Sequence, residues 1–433
     1  MDYTLQINDG IIRIQGVEYR ERILSKRLIR LAETFPAVVV AGARQVGKST
    51  LIRHVFPKDA DYVLFDPTVD VENARQDSDL FFDNHLKRPL LLDEIQYAPE
   101  IVGALKRRVD ADRRPGQFII TGSQQWEVMK SISESLAGRA VFIDLCGFSL
   151  AEAAGAAQSG GWLEHWLNEP ERLIEKNVRC LEVERSLYEI LWRGFLPEAD
   201  RLALDVLPDF FNAYLRTYID RDARLLADVS DWHSFNRFFR LSAALTAQDV
   251  NYSQLGRDIG LTPQTAHRWL DMLNATFQYE TIAAYAGNTV KRLSGKPKGY
   301  ISDTGLACAA QQISSPNALA AHPMLGALFE TAAVGEIRKQ NSAISTPAAL
   351  YHWRTQAGAE VDVVLERDGR LFPIEIKLTS QPSKRDARGL EAFRATYPNQ
   401  NIAPGLILAP TKQFRKISDN DFTLPWNAVV EGN

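Results

Sequence analysis

Cysteine is scarce in this chain. Only Cys146, Cys180 and Cys308 occur in 433 residues, far apart and never at a C-x-x-C spacing. That excludes a disulfide frame and a cysteine-held metal centre, and fits the reduced thiols of a cytoplasmic protein. Long apolar runs are missing too: no stretch approaches the roughly 18 residues that cross a bilayer. The opening MDYTLQINDG lacks the basic and apolar regions of a secretory leader, so none is expected, nor any membrane partner. There is also no excess of charge, since 50 basic against 54 acidic residues leave a net charge of -4. Any contact with nucleic acid must therefore come from local basic patches. The length predicts about two to four domains, and 45% hydrophobic with 24% charged residues is a globular composition.

What is present is organised around Gly42, Ala43, Arg44, Gln45, Val46, Gly47, Lys48, Ser49 and Thr50. The apolar run Ala37–Val40 before them reads as a buried strand, and Leu51–Phe56 after them as a helix. Strand, G-x-x-x-x-G-K-S, helix is the phosphate-binding P-loop. Its glycines let backbone N–H groups turn toward a polyphosphate, and the helix N-terminus adds more. Lys48 is expected at the β- and γ-phosphates of ATP and the Ser49 hydroxyl at Mg²⁺. Pro89–Glu94 is an all-apolar strand ending in two acids, with the form of a Walker B motif. Ligands bind at the carboxyl ends of such strands, where Asp93 would hold Mg²⁺ and Glu94 would be general base. Gln117–Thr121 reads as another apolar strand, after which Ser123 or Gln124 is placed to sense the γ-phosphate. Arg139 precedes the strand Val141–Leu145, a position from which its planar fork would reach a neighbouring subunit's nucleotide.

The order P-loop, LLLDE, ITGS, LAGR resembles AAA-type ATPases. More narrowly it resembles a prokaryotic family of ATPases that pair this module with a C-terminal domain of unknown function. Later pieces (RGFLPE, YLRTYIDRD, KGYISDTGLA, GALFE) extend the likeness over nearly the whole chain. The resemblance implies an α/β P-loop ATPase that forms a homo-oligomeric ring, such as a hexamer, with Lys48, Ser49, Asp93 and Glu94 in the roles above. It also implies Ser123 or Gln124 as sensor and Arg139 as the trans-acting finger. Arg216, Arg221 and Arg224, at helical spacing in a lid over 151–235, are alternatives for the finger.

Residues 236–312 read as a winged-helix module. Tyr252–Gly260 is a short amphipathic helix stopped by glycine; Thr262 caps and Pro263 begins a second helix. Its exposed face carries Gln264, Thr265, His267 and Arg268, a helix-turn-helix pattern that suits DNA. Two strands around Gly287-Asn288, with Lys291, Arg292, Lys296 and Lys298, would form the wing.

Residues 313–433 carry a second constellation. Asp368-Gly369 between alternating runs signals a two-residue hairpin. Centred there, Val361 opposes Ile376, Val363 opposes Ile374 and Leu365 opposes Phe372, so one face is apolar. The other face pairs Asp362 with Glu375 and Glu360 with Lys377. Facing carboxylates repel, and a second Mg²⁺ or Mn²⁺ at Asp362/Glu375 would remove that cost. An acid followed by E-x-K resembles the PD-(D/E)xK nuclease core. That likeness makes Glu330 the helix-borne acid, with Glu336 its rival by helical phase. The whole reads as an ATP-hydrolysing motor acting on branched or broken DNA. The alternative is a regulatory ATPase switch whose tail binds protein or nucleic acid without cutting.

Overall fold

The computed structural model describes residues 5–8, 11–14, 19–65, 71–123, 132, 134–218 and 231–430. Strands β1 (Leu5–Asn8) and β2 (Ile11–Ile14) form an N-terminal ribbon, Asn8 opposite Ile11. A five-stranded, all-parallel sheet follows: β3 (Ala37–Ala41), β4 (Asp61–Leu64), β5 (Leu90–Asp93), β6 (Phe118–Gly122) and β7 (Ala140–Asp144), in the order β4-β5-β6-β3-β7. Every residue of β3, β5 and β6 is buried. Such strands read as apolar runs, and these three do up to the polar residues Asp93 and Thr121 near their carboxyl ends. Their carboxyl ends bring the P-loop, Asp93-Glu94 and Ser123 to one edge of the sheet.

The stretch expected to be a purely helical lid also contains β8 (Gly160–Gly161) and β9 (Val178–Cys180). Runs of two and three residues have too little periodicity to read from sequence. Helices Tyr252–Ile259 and Pro263–Ala275 form the expected pair, because each boundary residue has its partner. Asn251 accepts from Gln254 N–H at 3.1 Å, Gly260 closes the first helix at φ +78°, and Thr262 accepts from Thr265 N–H at 3.1 Å.

The wing differs from expectation. Strands β10 (Gln248–Asp249), β11 (Tyr279–Ala284) and β12 (Lys298–Ile301) pair antiparallel, but a helix, Thr289–Ser294, lies between β11 and β12 where a hairpin was expected. The cause is local: the Asn288 side chain accepts from Val290 N–H at 2.8 Å, an N-cap geometry that starts a helix. Nor does this ribbon stand free. Beyond Ile282, β11 pairs in parallel with β13 (Ala349–Arg354), Ala283 opposite Tyr351, so one sheet runs across the expected boundary at 312.

That sheet continues through β14 (Glu360–Arg367), β15 (Arg370–Ile376), β16 (Asn401–Ile402), β17 (Gly405–Ala409), β18 (Arg415–Lys416) and β19 (Asp421–Pro425), ten strands in all. The hairpin register is the expected one, with Val363 opposite Ile374, Val364 opposite Pro373 and Leu365 opposite Phe372. The last strand, β20 (Ala428–Val430), returns to the lid and lies between β8 and β9. A single apolar core therefore extends from Leu28 and Val38 to Phe372 and Val430, with Trp166 edge-on to Phe372 at 5.3 Å between centroids. Among the described residues, no helix is long and apolar enough to cross a membrane.

Candidate functional site

The P-loop leaves β3 at Gly42. A Cβ there would stand 2.2 Å from the Leu145 carbonyl oxygen, and φ is +154°, so only glycine fits. Gly47, at φ +95°, turns the chain into the helix Lys48–Val55. Lys48 is buried, and its Nζ donates to the Gly42 and Ala43 carbonyls at 3.0 and 2.9 Å and to Ser123 Oγ at 3.0 Å. The ammonium is thus folded onto its own loop, at the place where phosphate oxygens would compete for it. Ser49 and Thr50 face a cleft of about 570 Å³ whose wall also carries Arg53 and Tyr62.

At the end of β5, Asp93 is fully buried; its oxygens accept from Thr121 Oγ1 and from Tyr62 OH. Burial, with this hydrogen bond next, raises the Tyr62 phenol above its ordinary range. A carboxylate has lone pairs beyond two bonds, so Asp93 with the Ser49 hydroxyl is a hard-oxygen set that fits Mg²⁺. Glu94 adopts φ +58°, a left-handed conformation rare outside glycine, fixed by its N–H donating to Thr121 Oγ1 at 3.1 Å. Its carboxylate accepts from Ser123 Oγ at 3.0 and 3.2 Å and from Gln96 Nε2. Ser123 thereby joins Lys48 to Glu94. Tyr62, Gln96 and Thr121 have no sequence signature of their own. Thr121 was legible only as the polar residue that interrupts an apolar strand.

Arg139 pairs with Asp110 at 2.5 Å, at the start of β7 and so at the sheet edge opposite the P-loop of its own chain. Gln124, Arg221 and Arg224 lie outside the described residues; Arg216 is exposed on the helix Leu207–Thr217.

The basic residues assigned to DNA divide. Gln264, His267, Arg268 and Lys296 are exposed and Thr265 half-buried, as expected. His267 is paired with Asp271 at 2.7 Å. Arg292 instead binds Glu366 at 2.6 Å and lies over the Tyr285 ring, so it is committed within the fold. The Lys291 side chain is outside the described set. Lys298 is a correction. It points inward, 7% exposed, and binds Glu330 at 2.6 Å and Asp362 at 3.2 Å. The alternation of β12 sends Lys298 and Tyr300 to the same buried face, a period the surrounding surface lysines disguise.

The carboxylate cluster gathers where expected. Asp362 and Glu375 are 3% exposed, and Lys377 binds Glu375 at 2.5 Å. Glu330 joins them, held by Tyr300 OH at 2.8 Å. Glu336 does not: its carboxylate accepts from Leu150 N–H at 2.9 Å, a tie to the ATPase side. Burial, then Asp362, pushes the Glu375 carboxyl up to about 8 and the Glu330 carboxyl up to about 7. A carboxyl raised above its unfolded value near 4.3 stabilises the fold fully below that pH, and the contribution is lost as pH rises toward 8. The melting temperature is therefore expected to fall between about pH 5 and 8. Glu375→Gln should flatten that fall and melt several degrees above the unsubstituted protein at pH 9; parallel melting curves would refute the assignment.

Residues 34–154 match the family model described as an AAA domain; 184–317 and 325–429 match models described as domains of unknown function, DUF8612 and DUF4143. Over 425 residues the chain is 28% identical to the uncharacterized protein Rv2008c of Mycobacterium tuberculosis, covering 98% of this chain and 88% of that one. It is also 26% identical over 185 residues to a protein of Acanthamoeba polyphaga mimivirus described as a candidate UV-damage endonuclease, covering 38% of this chain and 54% of that one. Among solved structures, a Walker-type ATPase of Pyrococcus abyssi aligns at 15% identity with a TM-score of 0.39, covering 66% of this chain and 94% of that one. The chain carries an AAA-type P-loop domain.

Proposed function

We propose that the chain is a Mg²⁺-dependent ATP hydrolase that acts on DNA, the nucleotide cycle moving the C-terminal sheet. The supporting observation is the Lys48–Ser123–Glu94 chain, each step 3.0 Å, which joins the phosphate-binding ammonium to the base through one hydroxyl. Bound Mg²⁺ supplies charge neutralisation for the phosphoryl oxygens. Lys48 grips the β- and γ-phosphates, Ser123 reports whether the γ-phosphate is present, and Glu94 takes the proton of the attacking water. In a ring, Arg139 would leave Asp110 and present its fork to the neighbour's γ-phosphate.

A route for movement supports the coupling. The long helix Leu325–Ala343 carries Glu330 at its cluster end. Near its other end, Glu336 accepts from Leu150 N–H, Lys339 donates to the Phe148 carbonyl at 2.8 Å and Gln340 accepts from Leu163 N–H at 3.2 Å. Displacement of residues 148–163 would therefore be felt at the cluster.

The test is ATP turnover without DNA and with duplex, single strand and a four-way junction. DNA-stimulated turnover is expected. Turnover indifferent to every DNA supports the second reading, a regulatory switch with a non-cutting tail, which the inward position of Lys298 favours. For DNA binding itself, Arg268→Glu with Lys296→Glu should weaken affinity about tenfold or more and flatten its salt dependence. Unchanged affinity would place this surface outside the DNA interface.

A further inference from the structure

An acid with E-x-K on the next strand is the pattern of a divalent-cation site, but the surroundings of these acids match a different device. We propose that the C-terminal cluster is neutralised by the chain's own lysines, with Lys298 filling the place between Asp362 and Glu330 that a metal ion would take. The inference goes beyond the proposed ATPase and does not depend on it.

Lys298 Nζ lies 2.6 Å from Glu330 Oε1 and 3.2 Å from Asp362 Oδ1, so it bridges the two carboxylates as a cation ligated by both would. It is no mobile surface lysine. Its backbone is paired on both sides, opposite Ile282 on β11 and Asp249 on β10, and only 9% of its side chain is exposed. Asp362 Oδ2 and Glu375 Oε1 are engaged as well, and Glu330 Oε1 has a further partner. Asp362 Oδ2 accepts the Ile376 N–H at 2.8 Å, Glu330 Oε1 takes a second donor in Tyr300 OH, and Glu375 Oε1 is bound by Lys377. A metal ligated by Asp362 would have to displace the buried ammonium or share the carboxylate with it. If the ammonium stayed, a dication beside it would be strongly repelled.

The donor geometry agrees. Among the described residues, no group of three or more histidine, cysteine, aspartate or glutamate side chains is arranged to hold a metal ion. The charge balance agrees as well: Asp362, Glu330 and Glu375, with Glu360 close enough to act on them, face two ammonium groups, Lys298 and Lys377. The excess negative charge is met by protonation, because burial raises the Glu330 and Glu375 carboxyls. Asp362 and Glu330 in turn hold the Lys298 ammonium above its ordinary range against the opposing effect of burial. Glu375 Oε2 is buried and, among the described residues, accepts no hydrogen bond, as a protonated carboxyl can tolerate better than a carboxylate. Gly389 lies against this oxygen: a Cβ there would stand 3.2 Å from Glu375 Oε2 and 2.0 Å from the Glu360 carbonyl oxygen. The helix Arg388–Thr396 closes that side of the cluster.

Two lysines and a proton thus do the electrostatic work of a metal ion. Having no Lewis acid and no metal-bound water to supply, the domain keeps the acid and E-x-K pattern while serving as a binding or structural module. Lys298 also ties the cluster to the lid, because β12 leads within five residues to Asp303, which accepts the Phe195 N–H at 2.7 Å.

The test is Mn²⁺ titration of the nucleotide-free full-length protein, with free Mn²⁺ read by electron paramagnetic resonance. Nucleotide is left out so that failure of the ATPase reading cannot affect the result. The unsubstituted protein and Asp362→Asn are expected to bind Mn²⁺ equally weakly. Lys298→Met, which keeps the chain length and removes the charge, should bind Mn²⁺ roughly tenfold tighter or more. Adding Asp362→Asn to it should abolish the gain. Binding by the unsubstituted protein that Asp362→Asn removes would overturn the proposal, and so would a folded Lys298→Met protein with no gain. If Lys298→Met does not fold, the comparison of unsubstituted protein with Asp362→Asn still decides.

Discussion

Replacing Glu94 with glutamine is expected to slow ATP turnover by about 10²- to 10⁴-fold, the usual contribution of a general base, while MgATP affinity stays within a few-fold. Glutamine keeps the size of the side chain and a carbonyl oxygen to accept from Ser123 Oγ, which lies 3.0 Å from the present carboxylate. It cannot take a proton from water. The backbone should not move, because φ +58° at this position is held by the N–H bond to Thr121, not by the side chain. Ser123→Ala should have a smaller effect, roughly tenfold, since it removes a link to the base and not the base itself. Single-turnover kinetics with bound ATP separates the two: Glu94→Gln retains nucleotide and barely hydrolyses it. Equal rates for Glu94→Gln and the unsubstituted protein would show that the proton goes elsewhere.

Asp303→Ala is expected to destabilise the fold by about 2–4 kcal/mol, from two buried donors left without acceptors, one of them at a helix cap. Asp303 is buried and accepts from Phe195 N–H at 2.7 Å and, as the cap of the helix Thr304–Ala310, from Leu306 N–H at 3.0 Å. Around it the chain is too close for any readjustment. A Cβ on Gly194 would meet Asp303 Oδ1 at 2.2 Å, and one on Gly305 would meet the Arg193 carbonyl oxygen at 2.6 Å. Burial raises the Asp303 carboxyl, and the backbone N–H donors pull it back down. Asp303→Asn, which keeps a single acceptor oxygen, should lose about half as much. Urea denaturation followed by tryptophan fluorescence reads both. A midpoint unchanged by Asp303→Ala would mean that the join between the lid and the C-terminal sheet contributes little.

The legible parts of this molecule are those whose cause is local. Gly42, Gly47 and Lys48 occur at fixed offsets because a phosphate loop needs them there. Asn251, Thr262 and Pro263 mark helix boundaries within one turn of the groups they cap. The hairpin register followed from period two and one Asp-Gly turn, and the ladder shows it from Val363–Ile374 to Arg367–Arg370. Glu330 joined the cluster in preference to Glu336, although helical phase favoured Glu336; phase identified it correctly as buried but not which partner buries it.

The parts that were not legible depend on distant chain. Gly160–Gly161 and Val178–Cys180 become strands only because Ala428–Val430 arrives between them. The ribbon read as a free wing is instead the flank of a larger sheet, because Ala283 meets Tyr351, 68 positions further along the chain. Lys298 shows the same limit most sharply. Its neighbours Arg292 and Lys296 made it look like a surface cation, and only the pairing of β12 between β10 and β11 turns it inward.

The most direct measurement is isothermal titration of ATP with Mg²⁺ into the full-length protein and into Lys48→Ala. The unsubstituted chain should bind, and Lys48→Ala, losing the ammonium that now rests on Gly42, Ala43 and Ser123, should bind roughly 100-fold more weakly. Failure of the unsubstituted protein to bind ATP, or equal affinity in the two proteins, would contradict a nucleotide site built on this loop.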